Sequence, residues 1–301
     1  MAYSDYEIFS GTLALFCAFV SLISTVITLV LIFDMKRWNA YMLLIFNLTF
    51  CQFFYDLAFF FLITYQANSS QLALTFLTTF GGVAVTLWTN IISFILCYIV
   101  LYLTSFNVYG YFKIFFISIM IPSLTLASLN VIYYDSNETK LYFTDFYYWL
   151  RIGSIVFNIA VHGIITYKLN RMGFEKKNGD NTVPIQRDPV RVLASRLKYY
   201  PIVQIITRIG AAWYEAVYGY DTESFDNHMD VTQKISFFLY AVFVPSAGFG
   251  YFVIFLLVQP KALAVFKARL QRYRIFRYCL GEPVALVTLE SAHSGMCVMC
   301  C

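Results

Sequence analysis

Seven stretches of this sequence are each apolar for about twenty residues or more, the length a helix needs to cross a hydrocarbon core of about 30 Å. They cover residues 9–33, 40–65, 72–103, 112–133, 147–167, 199–217 and 231–258. Lipid offers an unpaired peptide group no water, so such runs must form helices or a closed barrel. Barrel strands are short and alternate in hydrophobicity, whereas these runs are long and continuously apolar. The expected fold is all-α, a seven-transmembrane helix bundle. Composition agrees, with 60% hydrophobic and 13% charged residues against about a quarter charged in soluble domains. So little polar surface could not cover a soluble domain, and the hydrophobicity excludes a disordered chain. The third run is long enough to tilt or project, and Arg208 makes the sixth the weakest.

The basic residues set the direction of threading, because Lys and Arg collect in cytoplasmic loops. One side holds Lys36, Arg37, Lys113, the group from Lys168 to Lys198 and the group from Lys261 to Arg277, which is 17 of the 21. The other side holds acids such as Asp5, Glu7, Asp135, Glu138, Asp221 and Asp226. Residues 1–8 are therefore expected outside and the C-terminus in the cytoplasm, in a multi-pass protein of the plasma membrane. Asn68-Ser69-Ser70 and Asn137-Glu138-Thr139 are glycosylation acceptors in loops assigned to the outside. The start of the chain is acidic and the first apolar run is too long for a cleaved leader, so that helix should act as its own insertion signal. Cys17, Cys51 and Cys97 lie in spans and the other four cysteines in the tail, so no extracellular disulfide is expected.

The inner loop over about 168–198 contains Gly179-Asp180-Asn181, Pro184 and Pro189 and reads as polar and mobile. No nucleotide-binding loop, paired-carboxylate motif or metal-ligand cluster appears, and His162, His228 and His293 are far apart. An enzyme is not expected, nor a cofactor, a metal or a nucleic-acid partner. Over 259–280 the residues Leu263, Phe266, Leu270 and Tyr273 share one helical face beside Lys267, Arg269, Arg272, Arg274 and Arg277. This is a short amphipathic cytoplasmic eighth helix suited to the anionic inner leaflet, or else a plain solvated helix. Cys279 is a candidate palmitoylation site, as are Cys297, Cys300 and Cys301 in the tail 281–301; Val298 rules out a prenylation box.

Polar side chains inside a span face the bundle interior or mark function. Thr79, Thr86, Asn90, Ser93 and Cys97 form one stripe of the third run at 100° per residue. Thr49, Gln52 and Asp56 share a face of the second run, and Arg151, Asn158 and His162 a face of the fifth. Arg208 and Glu215 share a face of the sixth, two turns apart, where they could pair with each other or with neighbours. Such stripes also serve as interhelical glue, and Arg151 or Lys234 could snorkel to an interface. The ligand-site expectation is that Arg151, Arg208 and Lys234 converge on an outward-open pocket for an anionic or strongly polar ligand, lined also by Glu215, Thr86, Asn90 and Asn158. Asp56 with Gln52 is a candidate internal ion or water site.

Seven spans, an outside N-terminus, basic inner loops and a basic eighth helix together resemble a G-protein-coupled receptor. Tyr55-Asp56-Leu57 is similar to an acidic position common in such receptors. Arg196-Leu197-Lys198-Tyr199-Tyr200-Pro201 resembles the Arg-Leu-x-x-Tyr-Pro stretch of the cyclic-AMP-receptor-like and fungal nutrient-receptor group, and Pro245-Ser246-Ala247-Gly248-Phe249 is similar to its Pro-Leu-Gln-Gly-Phe pattern. The Asp-Arg-Tyr of rhodopsin-like receptors is missing, since residues 98–106 carry no charge. The resemblance covers roughly residues 9–279. It implies an extracellular ligand bound between helices and a heterotrimeric G protein as partner, with Pro201, Pro245 and Gly248 as candidate hinges. A small transporter or channel is the competing reading. A retinal protein is a lesser one, suggested by the Asp230 to Lys234 spacing although Lys234 lies near the outer edge.

Overall fold

The apolar runs become helices in a computed structural model that describes residues 5–35, 40–64, 71–102, 106–133, 137–177, 197–218 and 231–271. All regular structure among the described residues is helical. In chain order the helices are α1 Asp5–Asp34, α2 Ala40–Thr64, α3 Gln71–Tyr102, α4 Val108–Ile132 and α5 Asn137–Lys177. Then follow α6 Tyr199–Tyr218, α7 Val231–Phe243, α8 Ala247–Val258 and α9 Pro260–Gln271. Five of these are long and apolar enough to cross a membrane, and the pair Lys234–Phe243 and Ala247–Val258 makes a sixth if counted as one bent span. The protein is therefore a membrane protein. Large apolar side chains such as Phe16, Ile117, Trp149 and Leu257 are exposed on it, a surface fitted to lipid rather than water.

Helix α3 forms the axis of the bundle. It packs against α2, α4, α5 and α6, and 67% of its apolar span is buried against 17% for α4. Gly81 lets α2 come close: a Cβ there would stand 2.9 Å from the Tyr55 backbone nitrogen, a small-residue contact of the kind that brings membrane helices together. Helix α4 starts where Asn107 caps it, its Oδ1 accepting from the Gly110 amide at 3.0 Å, which satisfies one of the free amides of a first turn.

Three boundaries differ from the sequence reading. Helix α5 runs from Asn137 to Lys177, so residues read as outer and inner loop continue the helix. No proline interrupts that stretch, and water can serve polar side chains where a helix leaves the lipid. The seventh run is broken: the chain bends by 47° between α7 and α8. Pro245 lacks an amide donor, Ser246 N turns back to Phe243 O at 3.3 Å, and Gly250 N restarts the helical ladder on Ser246 O at 3.0 Å. Pro201, by contrast, sits in the first turn of a continuous α6, where a missing amide breaks no helical bond.

The described residues 259–271 belong to a second unit. Its helix α9 exposes Lys261, Lys267 and Arg269 and half-buries Leu263, Phe266 and Leu270. Asn68 and the cysteines 279, 297, 300 and 301 lie outside the described residues, as does the side chain of Asn137.

Candidate functional site

On α6, Gln204, Arg208, Ala211 and Glu215 fall at steps of four, three and four and so share one face. That face is turned into the bundle: Gln204, Arg208 and Ala211 are buried and Glu215 is mostly so. It explains why α6 has too little apolar character to qualify as a span on composition, since its polar residues are spent inside. Helix α5 faces it with Tyr147, Arg151, Ser154 and Asn158, again at helical spacing. The two helices run antiparallel, so Arg151 meets Glu215 while Ser154 meets Gln204.

The first meeting is charged. Arg151 Nη1 lies 2.6 Å from Glu215 Oε2, with the side chains 7% and 18% exposed. The pair is close but poorly aligned, because neither atom completes a hydrogen bond. The Arg151 guanidinium also covers the Tyr147 ring at 4.6 Å, and Arg208 covers the Tyr55 ring at 5.3 Å, contacts that gain strength away from water. Arg208 Nη2 donates to the Gly82 carbonyl at 3.4 Å, an oxygen that also accepts from Thr86 at 2.8 Å.

The second meeting is neutral. Ser154 Oγ donates to Asn90 Oδ1 at 2.7 Å and accepts from Gln204 Nε2 at 2.9 Å. Asn158 Nδ2 donates to Asn90 Oδ1 at 2.7 Å, and Ser93 Oγ donates to Asn158 Oδ1. Side-chain hydrogen bonds thereby join α3, α5 and α6. The Tyr251 and Thr89 hydroxyls, 3.3 Å apart, tie α8 to α3, and Tyr200 stacks on Tyr251.

A third polar group surrounds Asp56 on α2. Its carboxylate accepts from Thr25 Oγ1 at 2.7 Å, Ser21 Oγ at 3.1 Å and Gln52 Nε2 at 2.7 Å. Ser21 Oγ in turn accepts the Gly248 amide at 2.9 Å, joining α1, α2 and α8. A Cβ on Gly248 would collide with Ser21, Thr25 and Asp56 together. Gly248 is thus a close-packing point beside the α7–α8 bend. Donated hydrogen bonds occupy Asp56, and no group of three or more potential metal ligands occurs among the described residues.

The structure brings together Arg151, Arg208 and Glu215, places Thr86 beside them through the Gly82 carbonyl, and sets Asn90 and Asn158 in the adjoining network. Lys234 is exposed on α7, whereas both arginines are buried. The reading of Arg151 as snorkelling is replaced, because Glu215 and Tyr147 hold it inside. Glu215 takes Arg151, not Arg208, as its ion-pair partner, since Arg208 lies two turns away along α6. Tyr147, Ser154 and Gln204 were missed, and Tyr55 entered only as part of the Tyr55-Asp56-Leu57 motif. Ser154 and Gln204 each sit at helical spacing from a residue already singled out, and that spacing was the available signal. No family model and no curated protein matches the chain.

Proposed function

We propose that this chain is a seven-span receptor of the G-protein-coupled kind, nearest the cyclic-AMP-receptor-like and fungal nutrient-receptor group. It binds an extracellular ligand between its helices and signals to a heterotrimeric G protein. In this reading α6 is the sixth span, α7 with α8 is the seventh, and α9 belongs to a basic amphipathic helix on the inner leaflet. The observation that carries it is the burial of Arg151, Arg208 and Glu215 against Tyr55 and Tyr147 inside a helix bundle. Charges in a membrane interior are costly and are kept where they serve binding or transmission. The Asn90–Ser154–Gln204 network, one turn further along, supports a route by which a ligand among the charged residues biases α6.

The test is a screen for ligand-dependent nucleotide exchange on a G protein in membranes holding the full chain. Exchange that Arg208→Ala abolishes is expected; no exchange with any ligand or G-protein class removes the reading. A transporter is favoured by one observation, the 47° break between α7 and α8, because discontinuous helices line many transport sites. Solute uptake without nucleotide exchange would establish it instead.

A further inference from the structure

Arg208 is 4% exposed, and no carboxylate stands within ion-pair distance of it among the described residues. Its Nη2 reaches the Gly82 carbonyl at 3.4 Å, and its Cζ lies over the Tyr55 ring at 5.3 Å. The two nearby acids are committed elsewhere. Glu215 is drawn to Arg151 at 2.6 Å, and Asp56 is held by donors from Ser21, Thr25 and Gln52. Buried arginines are ordinarily matched by an anion. Arg151, Arg208 and Glu215 together carry one positive charge, and the Asp56 carboxylate, bonded to neutral donors, makes no ion pair with Arg208. Their setting is aromatic: Tyr55 stacks on Phe59, and Tyr214 lies against Phe237 and Tyr240.

We propose that this cluster recognises an aromatic molecule bearing a single negative charge, with Arg208 receiving the anion and Glu215 limiting the ligand to one charge by neutralising Arg151. The proposal rests on the receptor reading only in requiring that the bundle admits a ligand. The planar fork of Arg208 suits a carboxylate, which it can grip with two parallel hydrogen bonds. A dianion, such as a phosphate monoester, would place its second charge against Glu215. Removing that carboxylate frees Arg151 and makes room for it, so Glu215 sets the charge specificity.

The experiment measures thermal stability of the purified full-length protein in detergent, and needs no G protein. The probes are three aromatic monocarboxylates (benzoate, phenylacetate and indole-3-acetate), their neutral amides, and phenyl phosphate. At least one carboxylate should stabilise the protein at millimolar concentration while its amide does not. Arg208→Gln should weaken that carboxylate about thirtyfold or more, the loss expected when a buried charge partner disappears. Glu215→Gln should strengthen phenyl phosphate about tenfold and change the carboxylate less. Should Arg208→Gln not fold, Arg208→Lys keeps the charge without the fork and should weaken the carboxylate. The proposal is overturned if no carboxylate stabilises the protein, if amide and carboxylate act alike, or if Glu215→Gln leaves the preference for one charge intact. Stabilisation without nucleotide exchange would instead retain this site and remove the receptor reading.

Discussion

Asp56 is a single buried carboxylate on which three helices depend, and its substitution has a definite expected cost. Alanine removes both carboxylate oxygens, so the Ser21, Thr25 and Gln52 donors all lose that acceptor. Asp56→Ala should cost about 1–3 kcal/mol, read as a lower unfolding temperature of the purified protein. Gly248→Ala forces a methyl group into the same cage and should also destabilise. Because the two share partners, the double variant should fall short of the sum by about 0.5 kcal/mol or more; strict additivity would separate Gly248 from the cage. Asp56 and Gln52 were legible as a pair because they are four apart on one helix. Ser21 and Thr25 were not, since no period within a chain relates one helix to another.

Helices α3, α5 and α6 are joined by amides and hydroxyls in a region where apolar packing alone confers little preference, lipid tails being as apolar as the side chains. Asn158 is wholly buried and bonds to both Asn90 and the Ser154 carbonyl. Asn158→Ala should therefore destabilise by about 1–2 kcal/mol, measured by thermal unfolding. Ser118→Ala, on the exposed face of α4, should leave stability unchanged. The bend between α7 and α8 has a local cause in Pro245. Pro245→Ala restores the amide donor and should partly straighten the pair, so spin labels at the exposed Ile235 and Leu257 should move apart. An unchanged distance would mean that packing around Gly248 and Gly250 holds the bend instead. The stripes that build these faces could be read from spacing alone. The family resemblance marked Pro245 and Gly248 as hinge candidates, but residue type alone does not mark the break, because Pro122 stands inside a continuous α4.

The proposed placement of the chain in the membrane rests on its charge asymmetry, and topology mapping tests it. A glycosylation acceptor inserted within 219–230 should be modified in a translocating membrane system, and one inserted within 178–196 should not. The reverse pattern would invert the protein and with it the assignment of which end meets ligand. An unmodified acceptor at both places would mean that α6 does not cross, leaving the chain with the spans that composition alone supports.

Length and hydropathy were enough to establish a helical membrane protein, because the bilayer demands about twenty apolar residues per crossing wherever they fall in the chain. Helical spacing was also enough to mark Arg151, Asn158, Arg208 and Glu215 as facing inward. Which of them meet depended on how the helices pack: antiparallel α5 and α6 pair Arg151 with Glu215 and leave Arg208 to the Gly82 carbonyl and the Tyr55 ring. Periodicity assigns a side chain to a face, but the partner across that face is chosen by the register and tilt of a second helix, which no local pattern records.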